Sequence, residues 1–235
     1  MIKQNNRWYI LSLGGSLIVP NGGIDTKFLK EFEQFIRKKV AQGCRFFIVT
    51  GGGSTSRHYQ QAATTIAGKK ITDIDLDWLG VHSTRLNGHL IRTIFRDIAY
   101  EWLIKNYDLI DKKALDFKVV VGVGWKPGWS SDYDSALLAQ DYNVGVVINL
   151  TSVDMVYDKD PNKFTDAKPI KKLKWEKMIS ILDNKWKPGL NAPFDPMASR
   201  LAKKLGLKVF VCNGRNLENL DNIIEGRKFV GTVIE

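Results

Sequence analysis

Apolar residues recur along the chain in two periods. Short apolar runs stand at Trp8–Leu13, Arg45–Thr50, Lys118–Val123, Val144–Leu150 and Leu207–Cys212, with a last one at Lys228–Ile234. Such runs, bounded by turn residues, predict strands buried on both faces of a parallel sheet. Between them the apolar spacing changes to three and four. Phe28, Leu29, Phe32, Phe35 and Ile36 mark a helix that Asp25 caps and Gly43 ends. Ala136, Leu137 and Ala139 mark another, with Ser131 or Asp132 as its cap. Asp195-Pro196 opens a further helix, since Pro is favoured at the first helical position, and Leu217–Ile224 forms a short one. Asp73–Ile104 is mostly helical in pattern. Its stripe of Leu76, Leu79, Leu86, Leu90, Ile94, Ile98 and Trp102 is interrupted near Gly80 and Gly88, so it reads as two helices or one broken helix. That stripe serves either core packing or a subunit interface. Strands alternating with helices predict an α/β fold with one predominantly parallel sheet covered on both faces.

Small residues gather where the strands end. The first strand runs into Gly14-Gly15-Ser16, and the second into Gly51-Gly52-Gly53-Ser54, where Ser54 can cap the next helix. In α/β sheets ligands collect at the carboxyl ends of the strands. A small-residue loop that opens a helix offers free N–H groups and the positive end of a dipole, and its natural cargo is an anion such as phosphate. Arg57 falls in the first turn of that helix, where a cation opposes the dipole. Either an anion sits between them or Arg57 is a solvent-exposed side chain beside a flexible loop. The chain is organised around Phe117–Pro161, which reads strand, Gly/Pro/Trp/Ser loop, helix, strand, loop. Asp132 stands at the start of that helix, as a cap or as a working carboxylate.

Composition narrows the function classes. The chain has 235 residues, 44% of them apolar and 26% charged, which is ordinary for a globular protein. No run of about 18 apolar residues is present to span a membrane, and the first residues carry no signal-peptide pattern, so a cytoplasmic location is expected. Cys44 and Cys212 each lie beside a strand-like run and read as buried reduced thiols. With no Cys or His partner nearby they make no zinc site, and His82 and His89, seven apart, lack a ligand-spaced carboxylate or Cys. No metal ligands are therefore assigned. The formal charge of +10 suits phosphorylated small molecules. Nucleic acid is not expected as a partner, because the lysines are scattered outside Lys168–Lys187 and no recognition motif accompanies them.

The motifs, taken in order, resemble the amino-acid kinase superfamily, and within it the archaeal-type branch of the uridylate kinases. The matching pieces are LGGSLIVP at Leu13–Pro20, TGGGSTSRHY at Thr50–Tyr59, DWLG at Asp77–Gly80 and GWKPGWSSD at Gly124–Asp132. They continue with TSVDMVYDKDP at Thr151–Pro161, DPMASRLAKKLG at Asp195–Gly206 and the closing Gly231-Thr232. The resemblance implies a three-layer α/β/α sandwich forming a single domain over residues 1–235, acceptor-binding in its N-terminal part and ATP-binding in its C-terminal part. It implies transfer of the γ-phosphoryl of ATP, with Mg²⁺, to UMP, by a homo-oligomer of the hexameric kind. Carried residue by residue, it places Gly14, Gly15, Ser16, Gly53, Arg57, Thr151, Ser152, Tyr157 and Asp160 on ATP. It places Gly52, Asp77, Trp125, Lys126, Pro127, Gly128, Trp129, Ser130 and Ser131 on UMP, and makes Asp132 and Arg57 the catalytic pair. Ser12 stands where many members have a phosphate-binding Lys, though the archaeal-type branch also lacks it. Met155 replaces the usual Gly of a VDGVY motif, and Trp125, Lys126 and Trp129 change the acceptor loop. A kinase for another acceptor such as isopentenyl phosphate is the nearest rival, weakened by Arg57 where those enzymes carry His. A non-catalytic nucleotide-binding or storage protein on the same fold is the other.

Overall fold

The computed structural model describes residues 7–159, 164–182 and 194–235. The first half of the chain folds as β1 (Arg7–Leu13), α1 (Gly15–Ile18), α2 (Thr26–Ala41), β2 (Cys44–Thr50), α3 (Gly53–Ala67), α4 (Asp73–Ile94) and β3 (Val119–Gly122). The second half adds α5 (Ser131–Asp141), β4 (Val146–Thr151), β5 (Val156–Tyr157), β6 (Pro169–Ile170), β7 (Lys172–Leu173) and α6 (Trp175–Ile181). It ends with α7 (Pro196–Leu205), β8 (Lys208–Asn213), α8 (Leu217–Ile224) and β9 (Thr232–Ile234). Seven strands form one sheet in the order β3-β2-β1-β4-β8-β9-β7, and β5 and β6 make a separate antiparallel pair. The first five strands of that order are mutually parallel, while β9 runs antiparallel to β8 and parallel to β7 at the far edge.

The period of two along each strand divides the core into two layers. Trp8, Ile10, Phe47, Val49, Val120, Val147 and Val209 face a cluster with Ala136 and Leu138 of α5, Met178 of α6 and Ala198 and Ala202 of α7. Tyr9, Leu11, Leu13, Phe46, Ile48, Val121, Ile148 and Leu150 face Leu17 of α1, Phe28, Phe32 and Ile36 of α2, Ile91 of α4 and Leu220 of α8. The result is the α/β/α sandwich that the alternating pattern predicts. The parity also aims two polar side chains, Ser12 of β1 and Asn149 of β4, toward the α5 side at the carboxyl ends of the strands.

Several expectations need correction. Asp73–Ile94 is one helix, unbroken at Gly80 and Gly88, and opened by a capping box between Thr72 and Asp75. Gly88 serves packing: a Cβ there would strike the Val123 side chain. Past Ile94 the chain leaves the helix and adds parallel bridges beside β3, Ala99 to Val119 and Ile104 to Gly122. The buried face of α4 is Val81, Ser83, Asn87, Gly88 and Ile91, whereas Leu86 of the apolar stripe is 64% exposed, as is Trp102 beyond the helix. Lys228–Ile234 is a strand only over its last three residues. Val230 gives both backbone groups to the Asn219 side chain of α8, at 2.8 and 2.7 Å, in place of a strand partner. Cys44 and Cys212 are buried free thiols, as their setting predicts.

At the opposite end of the sheet from the glycine loops, Lys39 is buried at the end of α2. Its ammonium pairs with Asp221 and Glu225 of α8 and donates to Gln42. Removing one partner of such a group leaves uncompensated charge. Lys39→Ala should lower unfolding free energy by about 2 kcal/mol, below the fully buried range because both carboxylates are partly solvated. Urea denaturation of the two proteins measures it.

Candidate active site

The site is built where two glycine loops touch. β1 and β2 run side by side in register, Leu13 opposite Thr50, so the loops that follow them leave the sheet at the same level. A Cβ on Gly15 would lie inside the backbone of Gly51–Gly53, and one on Gly53 would enter the backbone of Gly15. Gly53 also holds φ at +66°, a conformation that side chains disfavour. The contact lets α1 and α3 begin within one wall. Ser54 does not cap α3; Gly52 occupies that position, and the Ser54 hydroxyl donates to the Pro20 carbonyl at 2.8 Å. Asn87, buried on α4, holds the loop from behind. Its Nδ2 donates to the Gly51 and Gly52 carbonyls at 2.8 and 3.2 Å.

These loops bound a cavity of about 360 Å³ at the carboxyl ends of β1, β2 and β4. Its lining includes Gly14, Gly15, Ser16, Thr151 and Ser152, together with Gln60, Asp77, Gly80, Val81 and Trp129. Asp132 and Asp195 line it as well, and Arg57 lies at its rim, exposed but folded back so that Nη1 reaches the Ser16 hydroxyl at 3.4 Å and Nη2 reaches Asn21 at 3.1 Å. The structure thus brings together Gly14, Gly15, Ser16, Gly52, Gly53, Arg57, Asp77, Trp129, Ser130, Ser131, Asp132, Thr151 and Ser152 of the residues picked out in the sequence. Trp125, Lys126, Pro127 and Gly128 do not line the cavity. They are half-buried beside it, and Gly128 N–H donates to Asp77 at 2.7 Å. Tyr157 pairs with Pro169 in the small sheet away from the cavity wall, and Asp160 lies outside the described residues.

Ser130, not Ser131 or Asp132, caps α5, its hydroxyl accepting from Tyr133 N–H at 3.0 Å. The same hydroxyl donates to Asp195, whose other oxygen caps α7 through Met197 and Ala198 N–H at 2.7 and 3.1 Å. One serine and one aspartate therefore join the starts of two helices across the cavity. Asp132 is then a first-turn residue with its carboxylate directed into the site. Ser12 donates to it at 3.1 Å, along the direction that the parity of β1 prescribes. Burial, and next the field of Asp195, push the Asp132 carboxyl up to about 7. Asp134, one helical step deeper, is fully buried, and neither carboxyl oxygen has a hydrogen-bond partner among the described residues. Burial and its acidic neighbours raise it well above the carboxylate range, and burial raises Asp195 too.

Asn87, Arg85, Thr84 and the bridging role of Asp195 were not legible in the sequence. Arg85 of α4 grips the Gly124 and Trp125 carbonyls at 3.1 and 2.7 Å, and Thr84 Oγ1 accepts from Gly124 N–H at 2.8 Å. The Asp195-Pro196 pair does carry a helix-start signal, but nothing in it shows a second partner in Ser130.

A mostly parallel sandwich with glycine loops, helix starts and one convergent carboxylate at the strand ends defines a protein that handles phosphorylated ligands. The amino acid kinase family model matches residues 7–109 and 117–213. The uridylate kinase of Methanobrevibacter smithii is 33% identical over 226 residues, covering 96% of this chain and 97% of that protein. That of Sulfurisphaera tokodaii is 35% identical, over 85% of this chain and 88% of its own. The crystal structure of uridylate kinase from Archaeoglobus fulgidus superposes with a TM-score of 0.81 at 30% identity, covering 97% of this chain and 99% of that one. The chain belongs to the amino acid kinase family.

The raised carboxyls give the ligand-free protein a pH signature. Asp132, Asp134 and Asp195 bind their protons more tightly folded than unfolded. The folded state therefore carries more protons once pH exceeds the unfolded value of about 4, and these groups' contribution falls as pH rises through the folded value. For Asp132 that window closes near about 7. Asp132→Asn and Asp134→Asn should each flatten the loss of melting temperature between about pH 5 and pH 8. Parallel melting curves for wild type and both variants across that range would refute the assignment.

Proposed function

We infer that the protein is a uridylate kinase, transferring the γ-phosphoryl group of ATP to UMP to give UDP and ADP. The observation that carries this is the near-full-length likeness to the M. smithii uridylate kinase, which spans both walls of the cavity. We read residues 1–235 as one domain, its N-terminal part serving the acceptor and its C-terminal part ATP. The setting is cytoplasmic, where both substrates are found; among the described residues no helix is long and apolar enough to cross a membrane.

In this reading the UMP phosphate lies against Gly52, its nucleoside toward Asp77 and Trp129, and the ATP phosphates against Gly14, Gly15, Ser16 and Gly53. An acceptor phosphate is already anionic and nucleophilic, so the protein needs no strong general base. Phosphoryl transfer is accelerated by in-line positioning and by stabilising the charge that spreads over the transferring group. Arg57 and the N–H groups at the starts of α1 and α3 supply positive potential there. Asp132 orients the groups around the transferring phosphoryl. The Asp132 carboxylate, a hard oxygen donor, would hold the waters of a magnesium ion carried by ATP, which would neutralise phosphate charge.

The test is turnover with ATP, Mg²⁺ and a panel of acceptors including UMP and isopentenyl phosphate. UDP formation is expected. Phosphorylation of another acceptor with UMP untouched would overturn the substrate, and ATP binding without turnover would favour a storage role. Arg57→Ala should cost about 2–4 kcal/mol of transition-state stabilisation, or about 30- to 1000-fold in rate, with the melting temperature kept. Wild-type kinetics in that variant would make Arg57 a merely exposed side chain.

We also propose a homo-oligomer assembled through α3 and α4. Tyr59 and Ile66 of α3 and Ile74, Trp78 and Leu86 of α4 stand exposed on these two adjoining helices, an apolar surface that a second copy would cover. Light scattering should show more than one subunit at micromolar concentration; a monomer throughout would refute the assembly.

A further inference from the structure

We propose that Trp129 is a fixed wall that limits the acceptor to a single-ring base, and that Lys126 is the positioning residue that holds it. The proposal rests on the uridylate kinase reading and deepens it. Trp129 lines the cavity together with Gln60, Asp77, Gly80 and Val81, and its neighbour Gly128 donates to Asp77. With the acceptor phosphate at Gly52 and its nucleoside toward Asp77, as in that reading, the base comes to this part of the lining.

The indole has little room to turn away. Trp125 packs edge-on against it with centroids 4.7 Å apart and planes at 88°, and Tyr133 does the same from α5 at 4.8 Å and 83°. Trp125 is itself backed by Tyr107, whose hydroxyl donates to the Val123 carbonyl at 3.0 Å. The Lys126 ammonium sits over both indoles, 3.9 Å from the Trp125 centroid and 4.6 Å from that of Trp129. A cation shared by two aromatic faces attracts both and resists their separation. The two ends of the loop are pinned as well: Gly128, at φ +86°, gives its N–H to Asp77, and Arg85 holds the Gly124 and Trp125 carbonyls. Lys126 does not line the cavity, so its charge acts on the acceptor through Trp129. A rigid aromatic surface suits the flat face or edge of a pyrimidine, and a purine's second ring would need the space the indole fills.

The experiment compares UMP with AMP and GMP in wild type, Trp129→Ala, Lys126→Met and Lys126→Arg. Each acceptor is read by steady-state kinetics and, without turnover, by calorimetric binding. Trp129→Ala should raise the purine-to-UMP ratio of kcat/KM at least about tenfold, mostly through KM. Lys126→Met should shift the ratio in the same direction by about three- to tenfold, the order expected from one cation–π contact. Lys126→Arg, which keeps a cation over the rings, should return most of the selectivity. A merely structural role would lower the melting temperature and weaken all acceptors alike. Equal losses for UMP and purines in Trp129→Ala would overturn the wall, and wild-type ratios in Lys126→Met would overturn the clamp. A wild type that binds UMP in preference to AMP but does not phosphorylate it would sink the uridylate kinase reading alone. One that binds neither, or binds them equally, would overturn the wall too.

Discussion

The site depends on a backbone-to-backbone contact that no side chain could share. Gly15 lies against Gly51–Gly53 closely enough that a Cβ on either side would occupy the other strand's loop. That contact follows from the register of β1 and β2, which ends both strands at one level. It brings two helix starts into a single wall, so their unpaired N–H groups and dipoles add in one place. Asn87 makes the arrangement permanent by binding two consecutive carbonyls of the triple-glycine loop from the core side. A longer side chain at Gly15 or Gly53 would separate the walls before it touched a ligand.

The opposite wall is organised by carboxyl groups instead of glycines. Ser130 and Asp195 couple the starts of α5 and α7, and Asp132 projects from the first turn of α5 between them. Packing three acids, Asp132, Asp134 and Asp195, into one poorly solvated region raises all three. Such a region is costly without cations and becomes favourable when a cation-bearing ligand arrives. Held at raised values, these carboxyls keep protons that a nearby positive charge would release.

The sheet, its two-faced burial and the loop positions were legible because strand runs and glycine clusters are local signals. Leu13 to Gly15 and Thr50 to Gly53 say where a ligand gathers even before their contact is known. The continuous α4 was not legible, because a helical glycine chosen for packing against Val123 looks the same in sequence as one that breaks a helix. The partition of the acceptor loop was hidden for a similar reason. Trp125, Lys126 and Trp129 form one motif, yet only Trp129 reaches the cavity, and the side on which each lies is set by Tyr107, Tyr133 and Asp77 from distant elements. Asn87 has no local signature at all; its role exists only once α4 crosses behind the loop.

Ser12 ties the two walls together. It is the next-to-last residue of β1, two positions before Gly14, and its parity turns the hydroxyl toward Asp132. A Lys at this position would bring a cation beside the acid cluster, lowering the Asp132 carboxyl. A neutral hydroxyl donates one hydrogen bond and leaves the carboxyl raised to about 7. Among the residues that line the cavity the cationic side chain is Arg57, held at the rim by the Ser16 hydroxyl and the Asn21 side chain. With Ser12 at this place the strand contributes no charge of its own to the acid cluster, and the cationic side chain in the cavity lining comes from α3 instead.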